Sequence, residues 1–139
     1  MKIDKLWNGL KRIANGYYVL EGDLISEETI EINLDDCFVV NGKIRTKKSI
    51  VVCCGIEAGL GIEAGCGIKA GWGIEAGECI KAGWGIEAKT FINASKRIFA
   101  GISLYRTSKD CDKTIRCAEL RNGEICYGDL TIIENGGKR

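Results

Sequence analysis

The sequence predicts an all-β fold: a short parallel β-helix (β-solenoid), triangular in section at about 18 residues per coil, with an N-terminal cap and a C-terminal β-hairpin cap. Three observations predict it. First, the chain from Gly55 to Ala88 reads GIEAGL GIEAGC GIKAGW GIEAGE CIKAGW GIEA, a six-residue unit with almost no drift. Second, isoleucine returns every sixth residue from Ile56 to Ile98, and alanine follows two positions after each, so an Ile-x-Ala triplet turns both apolar side chains to one face of an extended segment. Third, Gly-X-Gly follows the triplets ending at Ala58, Ala64, Ala70 and Ala82 and supplies a bend where close chain approach or positive φ is free of a Cβ. A helix is excluded by the period and by the glycines, each of which costs roughly 1 kcal/mol in a helix interior.

A single Ile-x-Ala strand cannot bury its own face, but stacked equivalent strands can, and they satisfy one another's backbone. Three units per coil stack Glu63 on Lys81 and Lys69 on Glu87, whereas two units per coil align Glu63, Glu75 and Glu87 as like charges. Opposite charges on neighbouring strands stabilise, which favours the triangle. The spacing of Trp72 and Trp84, twelve residues apart, favours the flat alternative.

The 139 residues form one domain. Residues 1–31 are assigned to the N-terminal cap and a first irregular coil, 32–106 to the solenoid in one unbroken phase from Ile32 through Leu104, and 107–139 to the hairpin cap. Within the N-terminal part, residues 4–14 fit either a short helix capped by Asp4 or an irregular coil with Trp7 inside. Residues 17–25 read as strand, Gly-Asp bend, strand. The hairpin rests on Asn122-Gly123, the favoured two-residue turn, between two apolar runs.

Net charge is +1, which removes any bulk electrostatic case for nucleic acid or membrane. The distribution is uneven: residues 21–36 are acidic, and Lys43, Arg45, Lys47 and Lys48 form a basic patch, extended by Lys96 and Arg97 if the coils bring them near. No apolar run has the length of a membrane span, and Met1–Ile13 lacks the pattern of a signal peptide, so a cytoplasmic location without membrane contact is expected.

The chain has no histidine, which removes the usual proton shuttle and every triad that needs one. Eight cysteines include no C-x-x-C pair, and they read as small buried hydrophobes, with Cys111, Cys117 and Cys126 the one group that the hairpin could bring together on a metal. No catalytic residue, metal or cofactor is assigned. The candidate contact residues are Trp72 and Trp84, either displayed at corners or packed over the adjoining strand, with Lys69, Lys81, Glu63, Glu75 and Glu87 on the outward strand centres.

The glycine-rich six-residue coils resemble the hexapeptide class of parallel β-helices, and within it the small bactofilin-like polymer-forming proteins with a catalytically empty solenoid. The likeness covers residues 32–106. Hexapeptide acyltransferases place a small residue two positions before the aliphatic one, where this chain has Leu60, Cys66, Trp72, Glu78 and Trp84. The histidine-free compact solenoid is also similar in type to small phage or mobile-element proteins that block a host defence complex. These likenesses, together with the absence of a catalytic constellation, imply a non-enzymatic rigid protein-binding module, with a self-associating scaffold as an alternative, and the basic patch Lys43, Arg45, Lys47 and Lys48 adds phosphate or nucleic-acid binding as another.

Overall fold

A computed structural model describes residues 1–4, 11–12, 16–102 and 113–133 of the chain. The N-terminal strands are β1 (Lys2–Ile3), β2 (Lys11–Arg12), β3 (Tyr18–Leu20), β4 (Leu24–Ser26) and β5 (Ile30–Ile32). The repeat supplies β6 (Phe38–Val40), β7 (Ile44–Thr46), β8 (Ile50–Val52), β9 (Ile56–Ala58), β10 (Ile62–Ala64), β11 (Ile68–Ala70), β12 (Ile74–Ala76), β13 (Ile80–Ala82) and β14 (Ile86–Ala88). The chain continues through β15 (Phe91–Ala100), β16 (Thr114–Cys117), β17 (Glu119–Tyr127) and β18 (Asp129–Ile132).

These strands wind into a parallel β-solenoid with three faces. The first face stacks β3, β6, β9, β12 and the first halves of β15 and β17, and the second stacks β4, β7, β10, β13 and their second halves. The third is a seven-stranded sheet in the order β1, β5, β8, β11, β14, β16, β18. Ile68 lies between Ile50 and Ile86, which sets the coil at 18 residues and decides for the triangle. The stacked pairs Glu63–Lys81 and Lys69–Glu87 are present as expected.

Inside, every isoleucine of the repeat from Ile56 to Ile98 is buried, as is the alanine that follows it. Burying one such isoleucine contributes about 1.5–3 kcal/mol. The corners carry the backbone ladder onward: Trp72 donates its amide to the Cys54 carbonyl at 3.1 Å, and Thr90 to that of Trp72 at 2.9 Å. Thr46 takes an alanine slot because its hydroxyl donates to the Glu28 carbonyl and accepts the Lys48 amide at 3.2 Å.

Close approach, not positive φ, explains the corner glycines. Among the described glycines only Gly16, Gly22, Gly101, Gly123 and Gly128 have positive φ, and none of these lies in the regular repeat. A Cβ on Gly71 would overlap the Cys53 carbonyl oxygen of the coil below, whereas one on Gly67 would meet nothing nearer than the Gly85 oxygen at 3.4 Å.

Three expectations are corrected. The phase is not unbroken from Ile32. Ile30, not Ile32, stands in register with Ile50, and the first full coil has twenty residues, with Tyr18 on Phe38 and Leu24 on Ile44. The two extra residues fall in 33–37, where Leu34 is buried as part of the common core. At the other end, the slot expected for Leu104 on the third face is taken by Ile115 beside Ile86, and Leu104 itself lies outside the described residues.

The C-terminal hairpin is not formed. β17 continues through Asn122-Gly123 from the first face to the second with shifts of register, pairing parallel to β15 throughout, and β18 pairs parallel to β16. The long edge of β15 offers two apolar columns, which Leu120 and Ile125 extend beside Ile92 and Ile98; a chain doubling back at Asn122 would leave that edge bare. Nor is residue 4–14 a continuous helix, because Lys11–Arg12 pairs antiparallel with Tyr18–Val19. The rest of that segment, with Trp7, lies outside the described residues. The strand–bend–strand of 17–25 is present, with Gly22 at φ 93°.

Two glycine variants test the packing. Gly71→Ala should destabilise by about 1–3 kcal/mol, the usual cost of overpacking, while Gly67→Ala should be near neutral; denaturant melts of both give the comparison.

Candidate functional site

A variable residue stands at each corner, and with three corners per coil one slot in the sequence becomes three separate edges. Leu60 lies below Glu78 on one edge, Cys66 below Trp84 on the second, and Trp72 between Cys54 and Thr90 on the third. The structure therefore does not bring Trp72 and Trp84 together. They remain 47% and 46% exposed.

Their surroundings differ. Trp72 packs edge-on against Phe91 at 5.9 Å between ring centroids, and the Arg121 guanidinium covers the other ring at 3.9 Å. Trp84 instead borders the third face, where a shallow cleft of about 250 Å³ is lined by Val51, Lys69, Trp84, Glu87, Thr114 and Arg116 among others. Its floor follows from register, since Val51, Lys69, Glu87 and Arg116 are successive outward centres of β8, β11, β14 and β16. Arg116 reaches Glu87 at 4.0 Å. Trp84 with this floor is a mixed apolar and charged surface on a rigid sheet, and that is the candidate docking site.

The other expected contact residues are dispersed. Glu63 and Lys81 lie on the second face, where Arg45 approaches Glu63 at 3.7 Å and Lys81 lies 5.8 Å from the Phe99 ring. Glu75 lies on the first face in direct register with Glu57. Burial first, and the Glu75 charge second, push the Glu57 carboxyl up from its ordinary value. This like-charge pair is one that the triangular winding creates, although the winding relieves the others.

Three of the four side chains of the basic patch are paired with the chain's own carboxylates. Lys47 reaches Glu27 and Lys48 reaches Glu28, each at 2.9 Å, and Arg45 has Glu63. Lys43 lies beside Arg45 along a second, wider cleft with Leu60 and Lys81. Lys96 and Arg97 approach Glu78 and Glu124 instead, at 3.9 Å and 4.0 Å. The 20-residue first coil is what sets Glu27 and Glu28 against Lys47 and Lys48.

No disulfide joins the described cysteines. Burial pushes the Cys37, Cys54 and Cys117 thiols up, the opposite of an activated nucleophile. Cys117 is in the core, Cys126 is exposed, and Cys111 lies outside the described residues. Among the described residues no three His, Cys, Asp or Glu side chains are grouped to hold a metal, and no helix is long and apolar enough to cross a membrane.

Reading by residue type singled out Trp84, Lys69 and Glu87 but missed Val51 and Arg116. Counting eighteen back from Lys69 reaches Val51; no count reaches Arg116, because the chain between β14 and β16 departs from the period. Compared with known proteins, the sequence matches no family model, no curated protein and no solved structure.

The Glu57 environment has a pH signature. Its raised carboxyl destabilises the folded state once the group ionises, so stability contributed below the ordinary glutamate pKa is lost as pH rises through the folded one. Glu57→Gln should therefore raise the melting temperature at neutral pH, and the advantage should vanish in acid, as followed by circular dichroism melts across pH.

Proposed function

We propose that the chain is a non-enzymatic, rigid protein-binding module that docks through the third face at Trp84. The observation that supports this most directly is the 46% exposure of Trp84 beside a preordered cleft that includes Val51, Lys69, Glu87 and Arg116. Indole groups are enriched among residues that dominate binding energy, and a solenoid face loses little conformational freedom on association. Trp72 is as exposed, but its ring is engaged by Phe91, which makes it the weaker anchor. A host complex blocked by such a rod is the form of this function toward which the likeness to small phage proteins leans.

Nucleic-acid binding is the weaker reading, because Arg45, Lys47 and Lys48 are matched by Glu63, Glu27 and Glu28. Phosphate contact would require breaking these exposed, individually weak pairs, yet would leave the carboxylates beside the phosphates.

The test is affinity capture from host lysate, followed by titration of the identified partner. Trp84→Ala should weaken binding by tenfold or more, in line with the roughly 2 kcal/mol or greater loss at an anchor residue, with little change in the melting curve. Trp72→Ala should do the reverse, lowering stability and sparing affinity. A captured complex insensitive to Trp84→Ala, or binding to duplex DNA that disappears with added salt, would sink this reading.

A further inference from the structure

The outward residues of the third face form one ladder. In register along the rod stand Lys2, Glu31, Val51, Lys69, Glu87 and Arg116. Lys2 and Glu31 balance one another at the N-terminal end. The cleft beside Trp84 takes the other four, in the order apolar, cation, anion, cation. Arg116 reaches Glu87 at 4.0 Å, whereas exposed Lys69 has no carboxylate that close among the described residues. Two cations against one anion leave the cleft with a single positive charge, next to exposed Val51.

Geometry restricts what can lie there. β8, β11 and β14 are paired on both edges, so an extended segment finds no free backbone on this face and any occupant is held by side chains. Neighbouring strands lie about 4.8 Å apart, so the four rungs from Val51 to Arg116 span roughly 14 Å. An extended strand needs about 20 Å to present four side chains on one side. A helix presents four, at i, i+3, i+7 and i+10, over about 15 Å. A three-residue strand is also about 10 Å long, close to the width of one helix.

We propose that the third-face cleft takes an acidic amphipathic α-helix of a partner protein, laid along the rod with an apolar residue, a carboxylate, a cation and a second carboxylate at those four positions. This rests on the reading that Trp84 marks the docking face. The apolar residue covers Val51, with Trp84 as one wall of the cleft. The first carboxylate meets Lys69, the cation meets Glu87 and the second carboxylate meets Arg116, so the net charge of the stripe is opposite to that of the cleft. With so little net charge on either side, these pairs set the register at contact, while the apolar groups anchor the helix. The second face carries a similar order in Arg45, Glu63 and Lys81, but there the corner residue of the cleft is Leu60 and Lys81 lies over the Phe99 ring.

The probe is a capped alanine-rich peptide of about 18 residues, long enough to be helical in water, with Leu, Glu, Lys and Glu at the four positions. Its charge-reversed form carries Leu, Lys, Glu and Lys. Fluorescence anisotropy of the labelled peptides with the full chain should show saturable binding of the first and about tenfold weaker binding of the second. Lys69→Glu should weaken the first by about tenfold or more, with an unchanged melting curve, while Lys81→Glu leaves it as it was. The triple variant Lys69→Glu, Glu87→Lys, Arg116→Glu should exchange the preference between the peptides. Equal binding of the two peptides, saturable binding of neither, or loss on Lys81→Glu but not on Lys69→Glu would overturn the proposal. Trp84→Ala separates it from the docking reading. A captured partner that needs Trp84 but is indifferent to Lys69→Glu overturns the acidic helix and keeps the docking face, whereas one indifferent to both removes the face itself.

Discussion

Everything in this molecule depends on two ladders sharing one repeat. The backbone hydrogen bonds between coils and the inward stack of isoleucine on isoleucine both recur every eighteen residues, so that a shift in one destroys the other. A strand of three residues makes too few bonds to persist alone. Stacked between neighbours, as Ile68–Ala70 is between Ile50–Val52 and Ile86–Ala88, it acquires pairing on both edges and a buried face. The interior is narrow, since each side contributes one isoleucine and one alanine. The coils stack at hydrogen-bonded strand spacing, so a Cβ on the first glycine of a corner, as at Gly59, Gly65 or Gly71, would meet the carbonyl of the coil below.

The departures from period follow from the same constraint. Tyr18 and Phe38 are larger than the isoleucines that continue their column, and the coil that joins them is longer by two residues, with Leu34 buried in the added segment. That longer step also aligns Glu27 with Lys47 and Glu28 with Lys48, so the charge balance of the basic patch follows from the length of the first coil. At the C-terminus the opposite occurs. Ile115, Leu120, Ile125 and Leu130 follow one another at steps of five, so the last coil has only fifteen residues.

The regular body was legible because every level of the sequence agrees there. Period, glycine placement and the alternation of Glu and Lys at strand centres all select the same winding, and the Glu63–Lys81 and Lys69–Glu87 registers follow. The ends were not legible for a specific reason. Asn122-Gly123 is a strong local turn signal, yet β15 presents ten residues of free edge that no local rule sees. The phase upstream of Phe38 was misplaced because Ile30 and Ile32 both carry isoleucine, and only the pairing partner distinguishes the slot that faces Ile50 from the one that faces Val52. Of the contact surface, Trp84, Lys69 and Glu87 could be found from residue type and spacing, while Trp72 was grouped with them by a sequence column that the triangle distributes over separate edges.

This distribution bears on how such a rod can recognise anything. Arg45, Lys47, Lys48, Lys96 and Arg116 each have a carboxylate from another coil within reach, so the faces carry alternating charge and little net field. Long-range steering is correspondingly weak, and specificity has to come from shape and from the few large apolar groups left uncovered. Trp84 on the side and Leu130 with Ile132 at the end are such groups, and they sit on different surfaces. Because the coils between them are rigidly stacked, occupancy of one surface places the other at a fixed distance and orientation.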